Sequence, residues 1–325
     1  MNFMRRRLSF VMLFVVILLL VFVSLSSLAA EKEYPKEKTI RFLVGTAPGG
    51  GTSIISRILA SSAQPLIDQR IDTVCMPGAS GQEAIHFVMN QPQDGYTFLM
   101  SDLGCLVAPA LREDLGYDLS DWKPVMQISE FMTVFYVRAD SPIKDLNDWV
   151  AKAKAEPNVF SFAHGTHLCP PHISLLMFEK TAGIQNKKLT TTGGGENLAF
   201  ILGGHVDLSV SLPTTVGPLV EAGQLRALAV TGENRDSFLP DTPTLKELGY
   251  DIVFGSWFMV LAYKDVPEDR IEFMQNKFIE ALNTPGAQKL AKKLKVGLVL
   301  YGSQKSQEIY NTTIEDLTSL FADIF

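Results

Sequence analysis

Six short stretches gather the residues whose types and spacing could do chemistry: "GTAPGGGTS" from Gly45, "PGASGQ" from Pro77, "SDLG" from Ser101, "HGTHLC" from His164, "TTGGGEN" from Thr191 and "LPTT" from Leu212. They share a composition rich in glycine, serine, threonine and proline, and none contains lysine or arginine. Glycines leave backbone N–H groups open to a cleft, and a helix N-terminus adds a partial positive charge. The hydroxyls of Thr46, Thr52, Ser53, Ser80 and Thr166 could donate further bonds. Hydrogen bonds to a charged group contribute roughly 1.5–3 kcal/mol each. Four or five of them reach the ~8 kcal/mol of a micromolar site before the costs of ordering are subtracted. A small carboxylate fits this chemistry without a cationic side chain.

A nucleotide does not. A P-loop needs lysine after its last glycine, and Gly51 is followed by Thr52 and Ser53. The first loop also lacks the G-x-G-x-x-G spacing with a downstream acid. For any single loop, a tight turn is a sufficient reason for the glycines. Six loops of one composition at successive strand ends call for more.

The elements that must position these loops are legible in outline. "TIRFLVGTA" is β-rich and almost continuously apolar, as a strand buried on both faces should be. After the three glycines, Ile54, Ile55, Ile58 and Leu59 recur at helical spacing, with Thr52 or Ser53 as the N-cap. "IDTVCM", the helix "QEAIHFVMNQ" and "GYTFLMSD" continue a βαβαβ alternation that predicts a parallel, doubly wound sheet. A second such unit opens near "TVFYVRADSPIKDLNDWV" and runs through "VFSFAHGTH", "KLTTTGGGENLAFILGG", "VDLSVSLP" and "LRALAVTG". "FGSWFMVLAYKDVP" reads as a strand returning to the first unit, before helices around "EDRIEFMQNKFIEAL" and "SQEIYNTTIEDLTSLF". The fold class is α/β with two lobes, and ligands of such sheets bind outside the carboxyl ends of the strands.

The chain begins "MNFMRRRLSFVMLFVVILLLVFVSLSSLAA": three arginines, a long uncharged apolar stretch, then Ser27-Leu28-Ala29 where a signal peptidase would read small residues. Residues 1–30 are therefore expected to be a signal peptide. Some 20 apolar residues span roughly 30 Å, so retention as an N-terminal membrane anchor is the alternative. Of the 29 basic residues, three lie in that segment, leaving 26 against 35 acidic ones beyond it, a net −9. Such a balance offers no footprint for nucleic acid. The basic run "KLAKKLK" reads as the solvated face of a late helix. Cys75, Cys105 and Cys169 are too few for a disulfide framework and are expected mostly as buried thiols, with one disulfide as the lesser alternative.

"APGGGTSIISRILA", "PGASGQEAIHFV", "QPQDGYTFLMSD", "LSDWKPVMQI", "DSPIKDLNDWVAKAKAEP", "GGHVDLSV", "AGQLRALAVTGENRDSFLPDTPTLKELGY" and "SWFMVLA" follow one another through the chain. In that order they resemble the motifs of the tripartite tricarboxylate transporter receptors, the Bug/TctC family. The resemblance implies a type II periplasmic binding protein with two lobes closing on a small organic acid. It also implies delivery to a permease of one large and one small membrane subunit, in the periplasm or another extracytoplasmic space, with no cofactor. Lobe I is then expected over residues 31–136 and 257–325 and lobe II over 137–256, with hinges near Val137 and Ser256. One carboxylate is implied at Thr46, Ala47, Gly49, Gly50, Gly51, Thr52 and Ser53, facing His164, Gly165, Thr166 and His167, with Gly193, Gly194, Gly195 and Glu196 nearby. Two departures matter. Ser53 stands where the family usually has an aspartate, and the second-lobe loop carries two histidines where the family is glycine- and serine-rich.

Ser101, Asp102, His167, Pro213, Thr214 and Trp257 are the candidates for the far end of the ligand. A buried acid at Asp102 would disfavour a second carboxylate and favour an amine or hydroxyl; as an exposed loop acid it would do neither. In "HGTHLCPPH", His164, His167, Cys169 and His172 could supply metal ligands, contact the ligand as imidazoles, or be structural. As imidazolium, His164 or His167 would supply a cation and make uptake sensitive to pH near 6.5. No metal is assigned. Catalysis is not expected: no G-x-S-x-G elbow occurs, and Ser80 in "PGASG" has no evident histidine and acid partners. An exported sensor uncoupled from transport, an exported hydrolase and a metal-binding protein are the alternatives to a receptor.

Overall fold

A computed structural model of the chain describes residues 34–324. The signal segment expected over residues 1–30 lies outside them. Among the described residues no helix is long and apolar enough to cross a membrane.

The first lobe opens with β1 (Ile40–Val44), α1 (Gly51–Ile67), β2 (Ile71–Cys75), α2 (Gln82–Met89), β3 (Thr97–Asp102), α3 (Leu103–Ala110) and β4 (Trp122–Met132). The second contains β5 (Val134–Arg138), α4 (Leu146–Ala155), β6 (Ser161–Gly165), α5 (Pro170–Ala182), β7 (Lys187–Thr190), α6 (Gly194–Leu202), β8 (Leu208–Ser211), α7 (Pro213–Glu221) and β9 (Leu225–Val230). The chain then returns through β10 (Gly255–Tyr263), α8 (Glu268–Leu282), α9 (Pro285–Lys293), β11 (Leu298–Gly302) and α10 (Ser303–Ile324).

Strand order is β11-β4-β10-β3-β1-β2 in one sheet and β7-β6-β8-β5-β9 in the other. The expected parallel core is present in each, as β2-β1-β3 and as β7-β6-β8. Both sheets are mixed, however. β10 runs antiparallel to β3 and β4, and β5 runs antiparallel to β8 and β9. The physical reason is connectivity: β10 and β5 are the strands that arrive from the other lobe, so they enter from the opposite end.

Alternation along β5 shows how the second lobe is built. Phe135 and Val137 join Trp149, Phe162 and Phe178 on one face, while Val134 and Tyr136 join Ile201, Val216 and Leu225 on the other. The Trp149 ring lies 5.0 Å from Phe178 and 5.5 Å from Phe162. Both faces of the sheet are thus covered, as strands with such continuous apolar runs require.

Besides the chain crossovers, an apolar seam and a disulfide join the lobes. Leu168 and Ile173, at the start of α5, are packed with Leu103, Leu106 and Val107 of α3 in one buried cluster. Cys105 of α3 and Cys169 before α5 form a disulfide. The expectation of unpaired thiols is corrected there; Cys75 alone is free. The pairing depends on two lobes meeting across 64 residues of sequence, which spacing could not reveal.

The crossovers themselves are tied by buried hydroxyls. The Thr133 N–H donates to Thr231 Oγ1 (2.8 Å), the Thr231 N–H to the Thr133 carbonyl (3.0 Å), and Thr231 Oγ1 to the Phe254 carbonyl (2.6 Å). Thr133 Oγ1 also donates to Ser174 Oγ at 2.9 Å. These residues stand where the chain leaves one sheet for the other.

Candidate functional site

Between the lobes lies a cavity of about 110 Å³. Its first-lobe wall is the β1–α1 loop (Thr46, Ala47, Pro48, Gly50, Gly51, Thr52), with Asp102 and Cys105 of the β3–α3 junction and Phe258 of β10. Its second-lobe wall comes from three loops: Gly165 to Pro171, Thr192 to Asn197, and Val210 to Thr215. A smaller cavity of about 20 Å³ adjoins it, sharing Thr46, Thr52, Asp102, Cys105, Thr166 and Cys169, and reaching Gly45, Gly81, Ile85 and Ser101.

Helix N-termini surround this space. α1, α5, α6 and α7 start at Gly50, Cys169, Gly193 and Leu212, and none of these residues caps its helix with a side chain. α1, α5 and α7 also lack an acid in the first turn. The first N–H groups of a helix have no partner within it and need one from outside. In α5 the first two positions are Pro170 and Pro171, so that end offers its dipole but few donors. α1, α6 and α7 offer more. No lysine or arginine lines either cavity.

The glycines of the first loop do separate jobs. Gly49 has φ +92°, which a side chain rarely tolerates. A Cβ on Gly51 would stand 2.7 Å from Leu212 Cδ1, so a bare Cα there lets the two lobes approach. Gly50 is extended, with ordinary space around it. The facing loop is braced from behind: Thr191 Oγ1 donates to Asn197 Oδ1 (2.6 Å), and Asn197 Nδ2 donates to the Val210 carbonyl (3.2 Å).

Two ionisable side chains line the cavities, Asp102 and Glu196. Glu196 Oε2 is engaged by the Thr192 N–H (2.7 Å) and hydroxyl (2.9 Å). Asp102 is the N-cap of α3, its Oδ1 accepting the Gly104 N–H at 3.2 Å. Burial pushes its carboxyl up to about 7, against the opposing pull of Ser256 and of the Gly104 and Trp257 backbone. Thr46 Oγ1, also buried here, has no hydrogen-bond partner.

Twelve of the expected residues line the larger cavity: Thr46, Ala47, Gly50, Gly51, Thr52, Asp102, Gly165, Thr166, Gly193, Gly194, Gly195 and Glu196. Ser101 lines the smaller one, its hydroxyl donating to the Asp102 carbonyl at 2.9 Å. Others are placed elsewhere. Gly49 shapes the turn, and Ser53 is fully buried with Cys75 Sγ at 3.5 Å. Ser80 lies in a short 3₁₀ turn, Ala79–Gly81. Pro213 and Thr214 open α7, but Thr215 is the member of that turn at the cavity. Trp257 packs against Phe254, and Phe258, one residue along β10, faces the cavity instead. A strand reverses faces at every residue, so a one-residue choice decides this.

The histidines stand behind the wall. His164 is buried and stacked on His172 (3.8 Å between centroids), with Nε2 3.3 Å from Thr190 Oγ1. His172 Nδ1 accepts the Leu168 N–H at 3.0 Å, and His167 is exposed beside it. Burial, reinforced by neighbouring imidazoles, lowers His164 to about 4 and His172 to about 2. His164 is therefore neutral at pH 7 and supplies no cation, which overturns that expectation for this residue. Cys169 is disulfide-bonded, and among the described residues no group of three or more His, Cys, Asp or Glu could hold a metal ion.

The model of the tripartite tricarboxylate transporter family receptors matches residues 55–323. A curated UPF0065 protein from the gbd 5' region of Cupriavidus necator is 29% identical over 300 residues, 90% of this chain and 89% of that one. The structure of the periplasmic binding protein BugD superimposes with a TM-score of 0.83 at 24% identity, covering 89% of this chain and 98% of BugD. MatC from Rhodopseudomonas palustris with bound malate gives 0.82 at 22% identity, covering 88% and 99%.

Proposed function

The chain belongs to the tripartite tricarboxylate transporter receptor family, and from that premise we propose that it captures a small organic carboxylate between its lobes and hands it to a membrane permease of one large and one small subunit. It acts outside the cytoplasm, exported by its N-terminal segment, as a receptor rather than a catalyst. One observation carries the carboxylate: helix N-termini without side-chain caps converge on a cavity lined by no lysine or arginine. A small anion can meet several of these N–H groups at once and complements the positive helix ends. The malate in the MatC structure belongs to that chemical class.

The ligand sits with a carboxylate against Gly50, Gly51 and Thr52 on one side and Gly194, Gly195 and Thr215 on the other. Closure brings Leu212 over Gly51 and excludes water, which strengthens each charged hydrogen bond. The lobes divide at Thr133 and Gly255, a few residues from the divisions at 136/137 and 256/257 expected from sequence, and pivot on the Thr133–Thr231 hydroxyls.

The test is direct. The full chain, purified without refolding and verified ligand-free by native mass spectrometry, is heated with mono-, di- and tricarboxylates, amino acids and divalent metals. Saturable stabilisation by one class of acid is expected. Stabilisation by zinc or nickel alone, or by nothing, overturns the reading.

A further inference from the structure

Asp102 sits where the two cavities meet. It is 6% exposed, lines both, and stands among the Thr46, Thr52 and Thr166 side chains and the Cys105–Cys169 disulfide. The only other ionisable side chain lining either cavity, Glu196, is already bonded to Thr192. Beyond Asp102 the space shrinks to about 20 Å³, room for roughly one water. A ligand anchored on the helix ends therefore reaches Asp102 and stops there. The larger cavity, about 110 Å³, is below the roughly 150 Å³ that holds the six carbons of a benzene, which favours a molecule of no more than about six heavy atoms.

We propose that Asp102 is the specificity-determining residue of the cleft, selecting short monocarboxylates that carry a hydroxyl or ammonium donor over dicarboxylates. The proposal rests on the carboxylate reading above and adds the far end of the ligand. The ligand's own carboxylate takes the N–H groups, and its donor meets the free lone pairs of Asp102 and the unpartnered Thr46 hydroxyl. Above about pH 7, where Asp102 is ionised, a second ligand carboxylate would instead face it in the same small space, and like charges disfavour one another. A merely structural Asp102, capping α3, would leave ligand choice unaffected by its charge.

Isothermal titration of the full chain at about pH 8, where Asp102 is ionised, with propionate, lactate, alanine, malonate and succinate decides the matter. Lactate or alanine should bind at least tenfold tighter than propionate and than either dicarboxylate. In Asp102→Asn, that margin should shrink to within about threefold. Asparagine caps helices as well as aspartate does, and Asp102→Ser, another good cap, gives a second variant should the first fold poorly. Malonate or succinate binding as tightly as lactate and alanine overturns the proposal, as does an unchanged ranking in both variants. If none of the five binds folded, ligand-free protein, the carboxylate reading falls first and the selectivity goes with it.

Discussion

The helices of this protein begin in two ways. Away from the cleft, α4 starts at Asp145 and α9 at Thr284, whose side-chain oxygens accept the Asp148 N–H (2.8 Å) and the Ala287 N–H (3.3 Å). α8 lacks a cap but carries Glu268 and Asp269 in its first turn. At the cleft, α1, α5 and α7 have neither device, and α6 has only Glu196, turned back on Thr192. Every helix faces the same problem of unpaired donors and a positive end. The periphery solves it within the chain, and the cleft leaves it open for something that arrives. α3 is the instructive exception among the helices whose starts line the larger cavity: it is capped, by Asp102.

The largest effect expected concerns what holds the two capless walls together. The Cys105–Cys169 link closes a loop of 64 residues, worth about 4 kcal/mol in the chain-entropy account. The double variant Cys105→Ser/Cys169→Ser should lose stability of that order in urea unfolding. Because the apolar seam of Leu103, Leu106, Leu168 and Ile173 remains, it should still fold. A loss under about 1 kcal/mol would mean that the seam alone fixes α3 against α5.

The exceptional cap makes the next prediction. Asp102 has its carboxyl raised from 3.8 to about 7 by burial. Below about pH 4 it is neutral folded or unfolded and burial costs nothing. As pH rises toward 7 the unfolded chain releases this proton and the folded chain resists, so its contribution to stability falls across that window. A tenfold difference in proton affinity between the two states corresponds to about 1.4 kcal/mol, which limits the loss to roughly 4 kcal/mol. The groups facing the carboxyl are Ser256, Gly104 and Trp257, none of them a titrating partner. Asp102→Asn should therefore remove this falling contribution alone, and stability should rise more steeply with pH in the variant than in the wild type between about pH 4 and 7. His164 and His172, lowered from 6.5 to about 4 and about 2, act in the opposite sense. Up to about pH 7 the unfolded chain binds protons there that the folded chain does not, so their contribution to stability rises with pH. A wild-type profile that Asp102→Asn leaves unchanged would contradict this assignment.

A cap can also be moved into the cleft. Gly50 has φ −70° and ψ 159°, open to any residue, and a Cβ would meet nothing nearer than 3.4 Å. Gly50→Asp should place a carboxylate on the N–H groups of α1, stabilise the empty protein by a few tenths of a kcal/mol, and compete with the ligand. Carboxylate affinity should fall at least a hundredfold, about 2.7 kcal/mol. Unimpaired binding would show that the open helix ends are not the anion seat.

How much of this was legible in the sequence follows from the same contrast. β1, the three glycines and α1 stood out because a doubly buried strand is continuously apolar and bare backbone leaves glycine in the sequence. α3 did not: "LGCLVAPA" is apolar all round, so it has no helical period, and it contains Gly104 and Pro109. β11, only five residues long and bulged against β4, carries too little pattern to be read. Phe258 and Trp257 are both plausible on chemistry, and only the register of β10 against β3 says which of them looks into the cavity. Asp102 was visible as a candidate, but its burial depends on β10 and α3 closing around it, contacts that no local stretch encodes.

The smallest effects belong to the periphery, and they complete the contrast with Gly50→Asp. Asp145→Ala and Thr284→Ala each remove a side-chain acceptor from a helix that has no other use for its open end. Each should cost about 1 kcal/mol of stability, read from urea midpoints with unchanged slopes. Asp145 also has Asp148 beside it in the first turn, whose carboxylate accepts the Lys144 N–H at 2.9 Å, so its variant should be the milder of the two. Neither site borders the cavity, so ligand affinity should stay within about twofold in both. Were the peripheral variants to weaken binding as Gly50→Asp is expected to, the division between helix ends closed for stability and helix ends left open for a ligand would collapse.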